Sequence, residues 1–450
     1  MTKSVASTPF SNTVPPNLPL QLLGNITPAE FMRKYWQKKP LLIRGALPEF
    51  KPLLSRDELF ALAEEDDVES RLIVENTSAK TTGKGKKSAP AWKMTNGPFS
   101  VSKSDSVTEL PSLKKSNWTL LVQGVDLHDE QVHALKNQFR FAPDARLDDL
   151  MISFATDGGG VGPHVDSYDV FLLQAQGKRC WRIGKQKDLT LQKNVPLKIL
   201  ANFAPEQEFV LDAGDMLYLP PMYAHEGVAV GECMTYSIGF RAPAELELAR
   251  ELLQRFADDT LDEEEGDGED DENEEDYEDE YEDKNSALAG VYIADNAIKI
   301  IAKNVTKNVV KKVLYKDPKQ EAVEVPALIP VALLDFAKHS LEKALSDPDA
   351  LARNLGEYLT EPKANMWFDE PEFDVVLTRQ NRIELSPRSQ MMYDARHLFL
   401  NGESWRAAGK DASLMQKLAN QRFLEPKDLS KASEGAMALL REWADRGWLL

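Results

Sequence analysis

Residues 149–241 restrict the fold more than any other part of the chain, because short strand patterns follow one another there at close intervals. The segments are DLMISFAT, VDSYDVFLLQ, KRCWRIG, EFVLDAGDMLYLP and MTYSIGFR, punctuated by turns rich in glycine or proline. Runs of β-branched and aromatic residues bounded by such turns are typical of strands. Many short strands in succession predict a β-barrel or a β-sandwich.

The chain before this region begins with an arm and a helix. Residues 1–21 are rich in proline, serine and threonine, which predicts an extended arm. In the segment TPAE, Thr27 is an N-cap candidate and Glu30 completes a capping-box pattern, so a helix is expected to follow through Trp36. Residues 39–45 then predict a short buried strand that ends at a glycine.

Helical patterns dominate the part of the chain that follows residue 243. A helix is predicted for residues 244–257, and residues 287–370 contain stretches such as PVALLDFAKHSLEKAL, which predict a helical domain. Residues 371–450 combine two short strand patterns, DVVLTR and NRIELS, with helical runs. This mixture predicts a winged-helix-like module.

The negative charge of the chain is concentrated in one insertion. The 450 residues carry a formal net charge of −19, but residues 258–283 hold 19 acids and no lysine or arginine, which leaves 54 acids against 54 bases elsewhere. We therefore interpret residues 258–286 as an acidic low-complexity insertion. It could be solubilising, or it could attract a basic partner; the first interpretation is preferred. Likewise, the lysine-rich segment 76–88 is interpreted as a solvated loop rather than a nucleic-acid contact.

Other compositional features exclude several classes of protein. Six bases and six acids balance in residues 411–450, so the winged-helix-like module is expected to pack or dock rather than to bind DNA directly. Cys180 and Cys233 are the only cysteines, and they support neither a disulfide framework nor a zinc finger. Because the chain shows neither an export signal nor a continuous apolar span of about eighteen residues, we expect a cytoplasmic protein without a membrane segment.

A histidine and an aspartate lie two residues apart at the start of an apolar run. In GPHVDSYDVFLLQ, His164, Asp166 and Tyr168 would share one face of a strand. Among the six histidines, His225 is the best third ligand, because it follows a strand pattern and a proline turn. Two histidines and one carboxylate can occupy one face of the octahedron around a metal ion. Three coordination positions then stay open, as in non-haem iron(II) oxygenases. Without His225, the first two residues would be interpreted as an ordinary surface pair.

Several longer segments resemble a known family. GPHVDSYDVFLLQAQGKRCWRIG, PPMYAHEG, TYSIGFRAP and the earlier YWQKKPLLIRGAL are similar to the bacterial ribosomal-oxygenase branch of the JmjC-domain family. The resemblance is strongest over residues 22–243. It implies an α+β protein with a double-stranded β-helix (a cupin or JmjC barrel), a helical dimerisation domain and a winged-helix-like module. It also implies iron(II), with 2-oxoglutarate and oxygen as co-substrates, and a homodimer.

The resemblance further assigns roles to individual residues. Arg179 matches the basic residue that pairs with the distal carboxylate of 2-oxoglutarate, and strand parity places it on the same face as Trp181. Ser237 is a weaker candidate for a co-substrate contact, since a serine on a barrel strand is often a small filler. Tyr168 and Asp149 could frame a cationic substrate side chain, although both could be structural.

The expected activity is hydroxylation of a ribosomal-protein side chain, and the resemblance points to an arginine of a large-subunit protein. Three alternatives remain open. The chain could be another JmjC or cupin hydroxylase or demethylase that acts on a different protein. It could be a cupin isomerase or dioxygenase that uses another metal. It could also be a non-catalytic cupin binding protein.

Overall fold

The protein is described by a computed structural model that covers residues 14–76, 92–100, 108–265, 315, 327, 329–363, 366–369, 377–406 and 408–450. Four predicted segments lie wholly or largely outside these residues. They are the N-terminal arm before residue 14, the lysine-rich loop after Asn76, the acidic insertion after Glu265 and the helical domain before residue 329.

The helices lie before, between and after the strands of the main sheet. Their bounds are α1 Pro28–Lys34, α2 Arg56–Leu62, α3 Glu130–Asn137, α4 Glu245–Glu265, α5 Val331–Ala344, α6 Pro348–Thr360, α7 Gly409–Gln421, α8 Pro426–Leu429 and α9 Glu434–Asp445. Short 3-10 helices span Gln21–Leu23 and Val125–Leu127.

The strands fall into a long N-terminal set and a short C-terminal set. The first set is β1 Leu41–Ile43, β2 Ser70–Glu75, β3 Trp92–Asn96, β4 Phe99–Ser100, β5 Thr108–Glu109, β6 Trp118–Val122, β7 Leu147–Ala155, β8 Val170–Gly184, β9 Gln207–Leu211, β10 Met216–Leu219 and β11 Ala224–Phe240. The second set is β12 Ile383–Glu384, β13 Met391–Tyr393, β14 His397–Leu400, β15 Glu403–Arg406 and β16 Phe423–Leu424.

Within the described residues, nine strands form one sheet in the order β1-β10-β8-β11-β7-β6-β2-β3, and β9 pairs with β8. Every pairing in this sheet is antiparallel. The two longest strands, β8 and β11, pair with each other along most of their length. They therefore form the centre on which the functional side chains are placed.

The two faces of the sheet are buried against different partners. On one face, Leu150, Ile152 and Phe154 of β7 join a large apolar cluster that includes Phe31 of α1 and Phe60 of α2. Their alternate neighbours on the same strand point the other way, because successive strand residues face opposite sides. That second face carries smaller apolar clusters and most of the polar side chains described below.

One pair of predicted strands is a single long strand in the structure, and another predicted strand is the end of a longer one. The pattern VDSYDVFLLQ starts as strand only at Val170 and continues without interruption through KRCWRIG to Gly184. The pattern MTYSIGFR is the end of β11, which begins at Ala224. Register shifts between Val230 and Thr235 let the pair bend without breaking, and Gly177 and Gly231 have positive φ angles near this point.

Two smaller predictions also need correction. Thr27 caps α1 by accepting the backbone N–H of Glu30, but the Glu30 carboxylate binds Lys34 at 2.6 Å instead of completing the capping box. Helix α4 continues to Glu265, eight residues beyond the predicted end at residue 257 and into the acidic stretch.

The C-terminal module has its own core and packs on the domain of the nine-stranded sheet, residues 14–240, which is called the barrel below. Helices α7–α9 enclose a cluster centred on Leu418, Leu440 and Trp443, which are fully buried. Two small sheets accompany these helices, β12-β16 and β13-β14-β15. The segment NRIELS contains β12, whereas the first half of DVVLTR lies outside the described residues. The α+β organisation agrees with the prediction.

Arg140 joins the barrel to this module. Its guanidinium donates to the backbone carbonyls of Ala419 and Asn420 at 3.0 and 2.7 Å.

The two cysteines, Cys180 and Cys233, are free thiols. No helix among the described residues combines the length and apolar character that a membrane crossing requires.

Candidate metal centre and co-substrate pocket

His164, Asp166 and His225 lie together at the end of the β8–β11 pair. The backbones of the two histidines bind each other, with N–H to carbonyl distances of 3.0 and 2.9 Å. Asp166 lies in the loop that precedes β8, where its carbonyl accepts the N–H of Met222 at 2.7 Å. The three side chains each offer one ligand atom, and these atoms lie within 4.8 Å of one another.

Backbone carbonyls orient both imidazole rings. Nδ1 of His164 lies 2.9 Å from the carbonyl oxygen of Gly162, and Nδ1 of His225 lies 2.9 Å from that of Tyr223. A neutral imidazole that donates through Nδ1 leaves Nε2 as a lone-pair donor. Both Nε2 atoms face the Asp166 carboxylate, at 3.8 and 3.6 Å. This carbonyl contact on the far ring nitrogen is typical of metal-binding histidines.

Burial keeps His225 in the form that binds metal. Its side chain is almost inaccessible, and burial, followed by the nearby charge of His164, lowers the pKa of His225 to about 4. The imidazole is therefore neutral at physiological pH. Two imidazole nitrogens and one carboxylate suit iron(II), so the donor set fits the metal that the sequence predicts.

Arg179 lies on the same side of the β8–β11 pair as His225. In the strand register, Arg179 faces Ala229 and Ile183 faces His225, so residues 179, 181 and 183 share a face with residues 225, 227 and 229. The Trp181 ring centroid is 5.9 Å from that of His225, and Cζ of Arg179 is 5.2 Å from that of Trp181. The three side chains therefore form a continuous row that leads away from the candidate metal centre.

The Arg179 guanidinium is buried among neutral groups. Nη1 donates to Oγ of Ser153 at 3.3 Å and to Oγ1 of Thr235 at 3.4 Å, and Nη2 donates to the carbonyl of Gly227 at 3.2 Å. Nε has no hydrogen-bond partner, and within the described part of the chain Arg179 makes no ion pair. Burial lowers the pKa of Arg179. A buried cation without an anionic partner is costly, so the pocket fits a carboxylate ligand.

Sequence inspection missed the groups that hold Arg179. Ser153 and Thr235 are cross-strand partners on β7 and β11, and Oγ1 of Thr235 also donates to Oε1 of Gln174 at 3.0 Å. Strand parity would have placed Ser153 with Asp149 on β7 and Thr235 with Ser237 on β11, but only the register shows that these two faces coincide. Strand parity could not have identified Gly227, because that contact depends on the register between distant strands. Trp181, which the sequence placed on the face of Arg179, has its Nε1 buried without a hydrogen-bond partner.

Ser237 lies two residues beyond Thr235 on β11 and therefore on the same face as Arg179. It is buried and is paired across the sheet with Met151 and Leu172. The structure thus places the hydroxyl on the pocket side, as a co-substrate role requires.

Tyr168 and Asp149 lie at the open end of this face. Tyr168 precedes β8 and remains 39% exposed, while partial burial and the negative charges of Asp166 and Asp149 raise the pKa of its phenol. Asp149 alternates with Met151 and Ser153 on β7 and is buried. Its Oδ2 accepts the N–H of Gly124 at 3.0 Å. Asp166 and Tyr168 lie on a loop, and His164 forms only an isolated β-bridge with His225, so none of the three lies on the strand that sequence parity assumed.

Two family models match the chain. The first describes a JmjC domain and matches residues 134–248. The second describes a ROXA-like winged helix and matches residues 343–450. These matches confirm both the predicted barrel type and the predicted winged-helix module.

Curated relatives point to the same branch of the family. The chain is 40% identical over 240 residues to the ribosomal protein uL16 3-hydroxylase of Escherichia coli strain K12, which covers 53% of this chain and 57% of that protein. It is 38% identical over 223 residues to a probable ribosomal oxygenase of Haemophilus influenzae, which covers 49% and 50%. The matched region thus spans about half the length of these curated relatives.

Solved structures match a larger share of the chain. The X-ray structure of E. coli ycfD has a TM-score of 0.70 at 27% identity and covers 94% of this chain and 97% of that one. A structure of E. coli YcfD, described as a ribosomal oxygenase in complex with cobalt and 2-oxoglutarate, has a TM-score of 0.66 at the same identity and coverage. Together, these findings confirm the resemblance to bacterial ribosomal oxygenases.

Proposed function

We propose that this chain, which carries a JmjC domain and a ROXA-like winged helix, is an iron(II)- and 2-oxoglutarate-dependent oxygenase that hydroxylates a ribosomal-protein side chain. The observation that carries the proposal is the pairing of two sites on one sheet face. The ligand set His164, Asp166 and His225 lies at one end of a row, and the unpaired cation Arg179 lies at the other.

His164, Asp166 and His225 would hold the metal. Their Nε2 and carboxylate oxygen atoms already converge, and the two backbone carbonyls fix the rings before any ligand arrives. Iron(II), when bound, supplies the redox chemistry by which one atom of O2 enters the product while the other enters succinate as 2-oxoglutarate loses CO2.

Arg179 would bind the distal carboxylate of 2-oxoglutarate. Its Nε is free of protein partners, whereas Ser153, Thr235 and Gly227 fix the two terminal nitrogens. A planar guanidinium held in this way offers directed donors to a carboxylate in a site of low dielectric. Ser237 would add a hydroxyl contact from the same face, and Trp181 would exclude water between the two sites.

The substrate side chain is proposed to be an arginine of a large-subunit ribosomal protein. The E. coli relative is named for hydroxylation of the ribosomal protein uL16, and the charge at the mouth of this pocket suits a cation. Asp149 provides a carboxylate there, and the Tyr168 ring provides a face for a guanidinium. These two residues would orient the substrate carbon toward the metal centre.

The proposal also covers the cellular location, the oligomeric state and the role of the winged helix. A protein that modifies ribosomal components would act in the cytoplasm, and helices of the predicted domain at residues 287–370 would mediate a homodimer. The winged helix would pack and dock rather than bind DNA directly, because its charges balance.

Mass analysis of ribosomal proteins tests the activity. Cells that lack the gene should contain one large-subunit protein lighter by about 16 Da than in the parent strain, which is the mass of the added oxygen. Re-expression of the natural chain should restore the mass, and re-expression of the Asp166→Ala variant should not. A protein heavier by about 14 Da in the deletion strain would instead indicate a demethylase. Identical spectra in all strains would refute the proposed activity.

A further inference from the structure

Lys363 connects the helical part of the chain to the mouth of the barrel. It follows α6 by three residues, and its ammonium lies 3.2 Å from Oδ1 of Asp148 and 3.7 Å from Oδ2 of Asp149. These two carboxylates lie on β7, more than two hundred residues away in sequence. The contact therefore joins segments that are distant in sequence. It involves Asp149, the carboxylate that is proposed to bind the substrate side chain.

The Asp149 carboxylate is held through one of its two oxygens. Oδ2 accepts the backbone N–H of Gly124 at 3.0 Å and Nε2 of Gln123 at 3.3 Å, and it also faces Lys363. Among the described contacts no hydrogen bond involves Oδ1, which lies 3.4 Å from where a Cβ at Gly239 of the neighbouring strand would stand. Oδ2 therefore fixes the orientation of the group, and Oδ1 is the oxygen without a protein partner among the described residues.

Charged groups surround Asp149 from several elements. Asp148 on the same strand, Asp126 in a 3-10 helix, Tyr168 before β8 and Lys363 after α6 interact electrostatically with Asp149. Lys136 on α3 and Arg241 after β11 contact its neighbour Asp148. Burial raises the pKa of Asp149, and Asp148 and Asp126 add to that effect. Lys363 is the strongest opposing influence, because its positive charge favours the ionised carboxylate.

The position of Lys363 depends on the docking of α6. Arg241 donates to the backbone carbonyl of Leu359 at 3.2 Å and to Oδ1 of Asp148 at 3.3 Å, so it ties the end of α6 to the same acidic pair. Because Lys363 follows this anchored helix end by only three residues, the positions that its ammonium can occupy are restricted. The helical part of the chain thus contributes a defined charge to the barrel mouth.

We propose that Lys363 is a positioning residue for substrate recognition, which fixes the charge and orientation of Asp149 so that Oδ1 can accept a cationic substrate side chain. This inference rests on the proposed function. Lys363 acts through Asp149 and touches neither the metal ligands nor Arg179. Without its ammonium, Asp149 is a buried carboxylate beside two other acids, and it takes up a proton more readily. A protonated Asp149 loses most of its attraction for a guanidinium.

Binding measurements with a charged peptide and its neutral counterpart test this role. The probes are an arginine-containing peptide of uL16 and the same peptide with citrulline in place of arginine. Calorimetry with the full chain, loaded with cobalt and 2-oxoglutarate without oxygen, gives the affinities from about pH 5.5 to about pH 8.5. The variants are Lys363→Met, Lys363→Arg and the control Lys417→Met. Lys417 is a similarly exposed lysine that pairs with Asp428 at 2.6 Å in the winged helix.

A specific pH signature is expected for Lys363→Met. Its affinity for the arginine peptide should fall by about tenfold to a hundredfold at the acidic end and should recover toward the natural value as the pH rises and Asp149 ionises. Lys363→Arg should retain most of the affinity, because the charge remains. Affinity for the citrulline peptide and for 2-oxoglutarate should be unchanged in every variant, and Lys417→Met should behave as the natural chain.

Other results would overturn the inference. A loss that is equal at every pH, or that affects both peptides alike, would show a purely structural role for Lys363. Tighter binding by Lys363→Met would show that the lysine competes with the substrate. If the natural chain does not prefer the arginine peptide, the proposed substrate class fails and this inference fails with it. If the natural chain prefers arginine and Lys363→Met does so equally at all pH values, only the inference fails.

Discussion

Gly227 and Arg179 are bound across the central strand pair, where the carbonyl of Gly227 accepts Nη2 of Arg179 at 3.2 Å. The same glycine lies opposite Trp181 in the register. A Cβ at position 227 would stand 2.7 Å from Nε of Arg179 and 2.7 Å from the Trp181 ring, closer than real Cβ contacts allow. The absence of a side chain therefore creates the space that these two residues occupy.

Gly227→Ala should weaken 2-oxoglutarate binding while leaving the metal centre intact. The added methyl group must push the Arg179 guanidinium and the Trp181 ring away from their present positions, and a loss of about tenfold or more in 2-oxoglutarate affinity is expected. Calorimetry on the cobalt-loaded protein measures both affinities. Gly435→Ala is a suitable control, because a Cβ there would approach nothing closer than 3.7 Å. Natural co-substrate affinity in Gly227→Ala would contradict the pocket described here.

Arg179→Ala should reduce 2-oxoglutarate affinity steeply and leave metal affinity nearly unchanged. Loss of a charge-assisted pair in a buried pocket typically costs about 2–5 kcal/mol, which corresponds to about thirtyfold to several-thousandfold in affinity. Arg179→Lys should recover only part of the loss, because an ammonium lacks the planar donor geometry. Titration of 2-oxoglutarate against each metal-loaded variant measures the effect.

Arg182→Ala provides the matched control for Arg179. It lies on the same strand but on the opposite face, is partly exposed and pairs with Glu226 at 3.0 Å. Its removal should not change 2-oxoglutarate affinity. If Arg179→Ala and Arg182→Ala behave alike, Arg179 is structural and another basic residue must bind the co-substrate.

His164→Ala and Asp166→Ala should each abolish stoichiometric iron binding and turnover while the barrel remains folded. Both side chains are partly exposed at the end of the strand pair rather than packed in an apolar cluster, so their truncation removes a ligand without opening a large cavity. Metal content by elemental analysis and thermal unfolding followed by circular dichroism separate the two effects. His339→Ala, on the exposed surface of α5, should match the natural chain. Full metal content in Asp166→Ala would refute the ligand assignment.

Asp126→Ala should destabilise the barrel strongly. Asp126 is fully buried, pairs with the buried ammonium of Lys136 and accepts the backbone N–H of Leu150 at 2.7 Å. Removal of one member of a buried pair leaves an uncompensated charge, which typically costs about 3–5 kcal/mol of unfolding free energy. Urea titration measures the change. Asp212→Ala, which removes an exposed partner of Lys178, should leave the unfolding free energy nearly unchanged, because solvent screens exposed ion pairs. A small effect in both variants would show that Lys136 finds another partner.

Local sequence patterns predicted the three candidate metal ligands and the strand face on which Arg179 lies. The spacing of His164 and Asp166, with His225 after a proline turn, indicated three ligands, and the structure brings their ligand atoms together. Alternation along KRCWRIG indicated that Arg179 and Trp181 share a face. The contact between the Arg179 guanidinium and the Trp181 ring agrees with this. The second feature is local, because side-chain direction repeats every two residues along a strand.

Other features of the site depended on contacts that no local pattern contains. The continuity of β8 and β11, the loop that carries Asp166, the approach of Gly227 to Arg179 and the reach of Lys363 to Asp149 all join distant segments. Strand ends follow from which backbone groups find partners on neighbouring strands, and register decides which side chains meet across them. A buried ion pair likewise forms only where packing brings both charges to one place. The sequence therefore determined the residue types and their local direction, whereas tertiary packing decided their partners.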